Sequence, residues 1–370
     1  MANQNQHLIT SIPFQNVRDL PLPLEESQCV LHKHELLVCG GQSKRTCYSY
    51  HTVKNEYKLI CEYPSDIELN GHCVVKLVNK GSNKNRDQIT LLSFGGEYKH
   101  TLVMKYVSTW NSDNDNEMNN FNQWIPFTDN HDHPVHIGRD YDDYQGVRAV
   151  IGGRDNNLLF ITYYKNNISV FDLNTFQFIK HNTLPASQYA SISYHCFVST
   201  AEKSSDMILF CFDTGLSIKY DEDSNNFQFH QLPVCKVIAL LNYYAYVYID
   251  DVILFFGGYC YKDGKYVSSE SVHKYSIQEN KWMTFQITLP SPLRNCVAIL
   301  SKDNTYIHII GGQNDKNITV STHMKTKVHI WDISLSVLIK FFIQYWIRTL
   351  NVKLGWIDYF DKIIFKYSKF

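Results

Sequence analysis

The chain has 370 residues, 35 Lys and Arg against 36 Asp and Glu, and a net charge of −1, which excludes a broadly basic surface for nucleic acid or an anionic membrane. Aromatic residues make up 14%, with 25 Tyr and 21 Phe, and that share favours strands over helices. Ten cysteines with no CxxC pair are expected to be the reduced thiols of a cytoplasmic protein rather than a disulfide scaffold. The leader "MANQNQHLITSIPFQ" lacks a basic segment followed by an apolar one, and no stretch of eighteen apolar residues occurs, so neither a secretory signal nor a spanning helix is expected.

The first element is a strand over 12–21, "IPFQNVRDLP". After it the chain repeats, and three anchors recur besides paired glycines. A short run surrounds a small residue at Cys29, Cys73, Ala149, Cys196, Ala245 and Cys296. An aromatic pair seven residues apart follows at Tyr50/Tyr57, Phe171/Phe178, Tyr220/Phe227 and Tyr275/Trp282. The exit ends in proline at Pro64, Pro185, Pro233 and Pro290. Each unit therefore reads as four strands. Strand a carries the small residue, strand b ends in the glycines, and strands c and d carry the two aromatics. The expected units are 22–64, 65–129, 144–185, 190–233, 243–290 and 294–333. Unit two is lengthened by the polar tracts "NKGSNKNRDQ" and "NSDNDNEMNNFNQ", expected to be loop extensions.

Double glycines end apolar runs at Gly40–Gly41, Gly95–Gly96, Gly257–Gly258 and Gly311–Gly312, and a fifth occurs at Gly152–Gly153. The fifth differs from the others. Cys29 precedes Gly40 by 11 residues, whereas Ala149 precedes Gly152 by 3. Gly152–Gly153 is thus expected in the a–b turn of unit three, whose strand b is "NLLFITYY" with Tyr163–Tyr164 in the glycine slot. Unit four holds Phe212–Asp213 in that slot. Unit six lacks a strand d, and the N-terminal 12–21 supplies it, closing the ring and removing an open edge.

Six four-stranded units of this kind resemble the kelch-repeat β-propeller family. The resemblance rests on the structural glycines Gly40, Gly41, Gly95, Gly96, Gly257, Gly258, Gly311 and Gly312 and on aromatic pairs such as Tyr275/Trp282, and it covers roughly 12–333. It implies an all-β, six-bladed propeller that binds protein partners through its loops, an adaptor or scaffold. Units three and four depart from the pattern. Residues 334–370 leave the repeat and read as a pair of amphipathic helices, expected to dock on the propeller, to bind a partner or to touch a membrane interface.

The sequence holds no G-x-S-x-G, H-E-x-x-H or Walker A motif, so no catalytic residue and no cofactor are expected, an axial active site being the alternative. His131, His133 and His136 form the richest histidine cluster and a weak metal candidate, with Asp129 near. Pro134 interrupts it and the spacing matches no fixed ligand pattern, so a solvated loop is expected. In an up-and-down blade, b–c and d–a loops share one face. The b–c loops lean basic through Lys44, Arg45, Lys99, Lys262, Lys265, Lys316, Lys325 and Lys327, and the opposite face leans acidic. The basic face is expected to receive a protein or acidic peptide through Arg45, His100, Tyr259, Tyr261 and His323. No nucleic acid or membrane partner is expected, and the propeller is expected to be monomeric.

Overall fold

A computed structural model describes residues 13–78, 88–110, 121–186, 191–201, 203–262 and 264–331. They form six four-stranded antiparallel sheets and one two-stranded hairpin. Blade 1 comprises Gln28–His32, Glu35–Gly41, Lys44–His51 and Glu56–Glu62 as strands a to d. Blade 2 comprises His72–Leu77, Gln88–Gly95, His100–Val107 and the two-residue Ile125–Pro126. Blade 3 runs through Arg148–Gly152, Leu158–Tyr163, Asn167–Asp172 and Gln177–Thr183. Blade 4 runs through Cys196–Ser199, Asp206–Cys211, Thr214–Asp221 and Asn226–Gln231. Blade 5 uses Ala245–Ile249, Val252–Phe256, Val272–Ser276 and Lys281–Thr284. Blade 6 uses Val297–Leu300, Tyr306–Ile310 and His323–Lys327, and its strand d is Phe14–Asn16. The helical pair expected over 334–370 lies outside the described residues. No helix among the described residues is long and apolar enough to cross a membrane.

The ring closes as the sequence implies. Phe14 pairs with Thr326, Gln15 with Lys325 and Asn16 with Met324, antiparallel. Gly152 ends strand a of blade 3 and pairs with Leu158 across the a–b turn, so the fifth glycine pair does lie one strand early.

The core is a set of wedges between blades. Strand b is buried along its whole length in blade 1, and its alternate residues serve different neighbours. Leu36 and Val38 join Ile310 of blade 6 in one cluster, while Leu37 and Cys39 join Leu91 and Met104 of blade 2 in another. The same division repeats in blade 2, where Leu91 faces blade 1 and Leu92 and Phe94 face Leu159 and Ile161 of blade 3. Further wedges join blades 3 and 4, 4 and 5, and 5 and 6. Strand d is the outer strand, and Gln177–Thr183 accordingly alternates exposed and half-buried.

The paired glycines let loops close over the ends of strand b. A Cβ on Gly312 would lie 2.6 Å from the carbonyl oxygen of Arg294 in its own blade's d–a loop, and one on Gly311 would lie 2.3 Å from that of Leu24 in the next blade's. Both have positive φ, +104° and +63°. The c–d turns share a second device. Tyr50, Tyr220 and Tyr275 each donate from the hydroxyl to the side-chain oxygen of the Asn five residues on, Asn55, Asn225 and Asn280. Each of these Asn residues is left-handed, a conformation Asn tolerates better than most side chains.

Buried histidines bridge strands and blades. His308 Nδ1 lies 2.9 Å from His323 Nε2, and His323 Nδ1 lies 2.7 Å from the hydroxyl of Tyr57 in the adjoining blade. His100 Nε2 lies 2.8 Å from Ser93 Oγ, which also accepts from the hydroxyl of Tyr63. Burial holds these imidazoles neutral. It lowers His72 from 6.5 to about 3, and His100, His273 and His308 to about 4. A depressed folded-state pKa makes the unfolded chain the better proton acceptor, so this stability is present above pH 6.5 and lost as pH falls toward 4. The thermal midpoint is therefore expected to drop steeply on acidification through that window in a fluorimetric pH series. A midpoint flat from pH 6.5 to 4 would contradict the assignment.

Phe14 is 5% exposed and packs at 5.7 Å, centroid to centroid, on the buried Trp331. Phe14→Ala is expected to cost about 3 kcal/mol in urea unfolding, as for a buried aromatic truncated in place. An unchanged urea midpoint would show that the strand does not hold the ring.

Candidate functional site

The six d–a loops meet at the mouth of the central channel. Immediately before strand a, each loop carries a residue with positive φ: Glu26, Gly71, Gly146, Tyr194, Tyr243 and Asn295. Backbone hydrogen bonds link most of them from blade to blade. Tyr194 N donates to Gly146 O and Gly146 N to Gly71 O, each at 2.9 Å. Glu26 N donates to Asn295 O and Asn295 N to Tyr243 O, again at 2.9 Å. The two remaining junctions are spanned otherwise. The Tyr194 hydroxyl reaches both Glu26 Oε2 and Asn70 Oδ1, and the Tyr194 and Tyr243 rings pack at 4.5 Å. Two of the six positions are glycine for a reason of space. A Cβ on Gly146 would meet the Tyr194 ring at 2.5 Å, and one on Gly71 would meet its hydroxyl at 2.6 Å. Tyr194 thus lies across two blades and donates to Glu26 Oε2 at 3.0 Å. Left-handed Glu and Tyr residues cost about 1–2 kcal/mol each, and such strain gathers where function needs fixed geometry.

Beneath this girdle is an axial cavity of about 210 Å³. Its lining includes Glu26, Ser27, Cys29, Cys73, Arg148, Tyr194, Tyr243, Asn295 and Cys296. The size suits one side chain or a small molecule, below the several hundred Å³ of a typical ligand cleft. Burial is the largest influence on Glu26 and raises its carboxyl from 4.5 to about 7, against the opposing Tyr194 hydrogen bond and Arg148 charge. Arg148 donates from Nη1 to the Val147 carbonyl at 2.9 Å and stands 5.7 Å from the Tyr194 ring centroid. Ser27 Oγ is buried and has no hydrogen-bond partner. Cys29, Cys73 and Cys296 present thiols that burial pushes up to about 12, 11 and 12, so they are neutral and unreactive wall groups. The cavity can therefore offer a carboxyl that titrates near neutrality, a guanidinium and two phenols, beside the polar side chains of Ser27, Gln28 and Asn295.

The expected surface contacts divide. His100 is 7% exposed and His323 is fully buried, so both are withdrawn from the surface set. Each opens a strand c, and at that position the side chain turns into an inter-blade wedge. Arg45 is half-buried in strand c of blade 1, its carbonyl accepting from Tyr63 N. Lys325 lies within strand c of blade 6 over the Tyr306 ring, and Lys327 ends that strand, so neither belongs to the b–c loop. Tyr259 and Tyr261 do stand together. The b–c connection of blade 5, expected as a loop, forms a hairpin of Tyr259–Lys262 and Lys265–Ser268. Tyr261 and Tyr266 are 60% and 67% exposed, and Tyr266 stacks on Tyr259 at 5.1 Å. Arg294 lies over Tyr259 as well, with its guanidinium 4.0 Å from the ring centroid. Tyr243 packs edge-on to Tyr259, joining the hairpin to the channel mouth. On the opposite face Arg154 pairs with Asp223, and its backbone N donates to Glu222 at 3.0 Å. His131 and His133 lie in the loop after blade 2 beside Asp129, and His136 is not part of that group.

Glu26 supplies a test of the cavity's electrostatics. A raised folded-state pKa contributes stability that is present below 4.5 and lost as pH rises through about 7. Glu26→Gln, neutral throughout, is expected to gain on the parent protein as pH rises from 5 to 8, read as the difference between their thermal midpoints. A pH-independent difference would show the carboxyl to be solvated.

No known family profile matches the chain, and no curated protein matches it. Among solved structures the fold is shared with YjhT at 12% identity and a TM-score of 0.58, covering 83% of this chain and 95% of that one. That likeness supports the six-bladed propeller and is confined to the fold.

Proposed function

We propose that the protein is a non-enzymatic, kelch-type adaptor or scaffold of the cytoplasm that binds a protein or acidic peptide on the face carrying the d–a and b–c loops. The observation behind this reading is the hairpin of blade 5, where exposed Tyr261 and Tyr266 stand beside the channel mouth. Large aromatics with few rotatable bonds make efficient contact residues, and the exposed Lys265 and stacked Arg294 supply positive charge next to them. The axial cavity is of a size to seat one protruding side chain of the partner. A photo-reactive residue at position 261 is expected to cross-link one discrete partner in cells, and the same probe at Asp155 on the opposite face is not. Cross-linking from position 155 alone would reverse the choice of face.

A second reading, a small-molecule or catalytic site on the axis, is favoured by the convergence of Glu26, Arg148, Tyr194 and Tyr243 on one cavity. It calls for a small polar ligand that raises the thermal midpoint of the parent protein and not of Arg148→Ala.

A further inference from the structure

The loop that leaves strand d of blade 2 is tied down at both ends. Phe127 N donates to Thr101 O at 3.2 Å, Val135 N to Phe127 O at 2.8 Å, and Ile137 N to Thr101 Oγ1 at 3.0 Å. Phe127, Val135 and Ile137 are buried in the wedge between blades 2 and 3. Between these anchors the chain reverses tightly. Thr128 bridges Pro134, Asp129 N donates to His133 O at 2.9 Å, and Asp132 takes a left-handed conformation. The turn sits on the face of the b–c and d–a loops, at its outer rim.

We propose that Asp129, His131 and His133 form a binding site for a divalent transition-metal ion of the Zn²⁺ class. One donor atom from each of the three lies within 4.8 Å of the others. Ligation at about 2.0–2.2 Å brings donors to about 3.4 Å of one another in a tetrahedral shell. Rotation of two exposed imidazoles covers that difference without moving the backbone. The carboxylate is already oriented. Its Oδ1 accepts from His131 N at 2.7 Å and His133 N at 2.9 Å, leaving Oδ2 3.2 Å from His133 Nδ1. The two imidazoles are nearly parallel, 27° apart with centroids at 6.0 Å, so both can turn their edges to a common point.

The donor set selects the ion. Two imidazoles and one carboxylate suit Zn²⁺, Cu²⁺ or Ni²⁺, whereas Mg²⁺ and Ca²⁺ require mostly oxygen. Three protein donors leave at least one coordination position open to solvent. The sequence pattern points at His136 as the third ligand, but Pro134 intervenes and the turn brings back Asp129 instead.

The test is calorimetric titration of the full, metal-free chain with Zn²⁺ in a non-chelating buffer at neutral pH. One saturable equivalent is expected in the parent and in His136→Ala. That equivalent is expected to vanish in the His131→Ala/His133→Ala double variant and to weaken in Asp129→Asn, whose amide oxygen still accepts the two backbone hydrogen bonds. The half-buried cysteines are a rival source of zinc binding, and they are unchanged in every variant. Thermal midpoints in EDTA are expected to be equal for parent and double variant, since both imidazoles are exposed. Mg²⁺ and Ca²⁺ are expected to give no heat. Equal Zn²⁺ binding by parent and double variant, or none by the parent, would overturn the assignment.

Discussion

Every blade here must keep two faces dry, and strand b bears that condition most severely. It has a sheet neighbour on each side and a different blade against each face, so both sets of its alternate residues must be apolar. Leu36 and Val38 look toward blade 6 while Leu37 and Cys39 look toward blade 2. This is why runs such as "LLVCGG" and "VILFF" are apolar throughout rather than alternating. It also explains where the glycines stand. At Gly311–Gly312 the strand ends by passing beneath two loops, its own blade's and the next one's, and a side chain there would strike a backbone carbonyl. The loops so held are the ones whose last residues ring the channel.

That dependence governs what was legible in the sequence. The six units, the early fifth glycine pair and the borrowed strand of blade 6 were all readable, because each rests on apolar periodicity or on a residue type with one structural use. The channel mouth was not. Its six ring positions are Glu26, Gly71, Gly146, Tyr194, Tyr243 and Asn295, and what unites them is a backbone angle rather than a side chain. A repeat defined by φ leaves little trace in composition. The Tyr–Asn pairs of the c–d turns lay closer to view. The aromatic spacing of seven was visible, yet the Asn inside each interval passed as an ordinary turn residue.

The histidines misled for a related reason. His100 and His323 follow polar loops and are themselves polar, so residue type placed them at the surface. Inside the wedges both ring nitrogens of His323 find partners, Tyr57 and His308, and His100 Nε2 finds Ser93. A partner such as Tyr57, 266 residues from His323, cannot be read from a single chain without its register. Blade 5 erred in the opposite direction. "YCYKDGKYVSSES" has the residues of a loop, but Tyr259, Tyr261 and Tyr266 supply enough aromatic surface for a small hairpin to form over the rim. The features a partner could use, the hairpin and the axial cavity, are both additions to the repeat, and repeats are what sequence periodicity reports.

The pairing of Phe14–Asn16 with His323–Lys327 has a consequence in time. A ribosome makes the first of these segments long before the second. Blades 1 to 5 can each collapse onto a neighbour as they emerge, since their strands are local to one another. Blade 6 cannot, because its outer strand was synthesised first and must wait through five blades. Final closure is thus the longest-range strand pairing among the described residues and a late step, governed by loop-closure entropy rather than by local propensity. Until it occurs, the edge of His323–Lys327 is unpaired, and the nascent protein is at its most exposed to pairing with another chain.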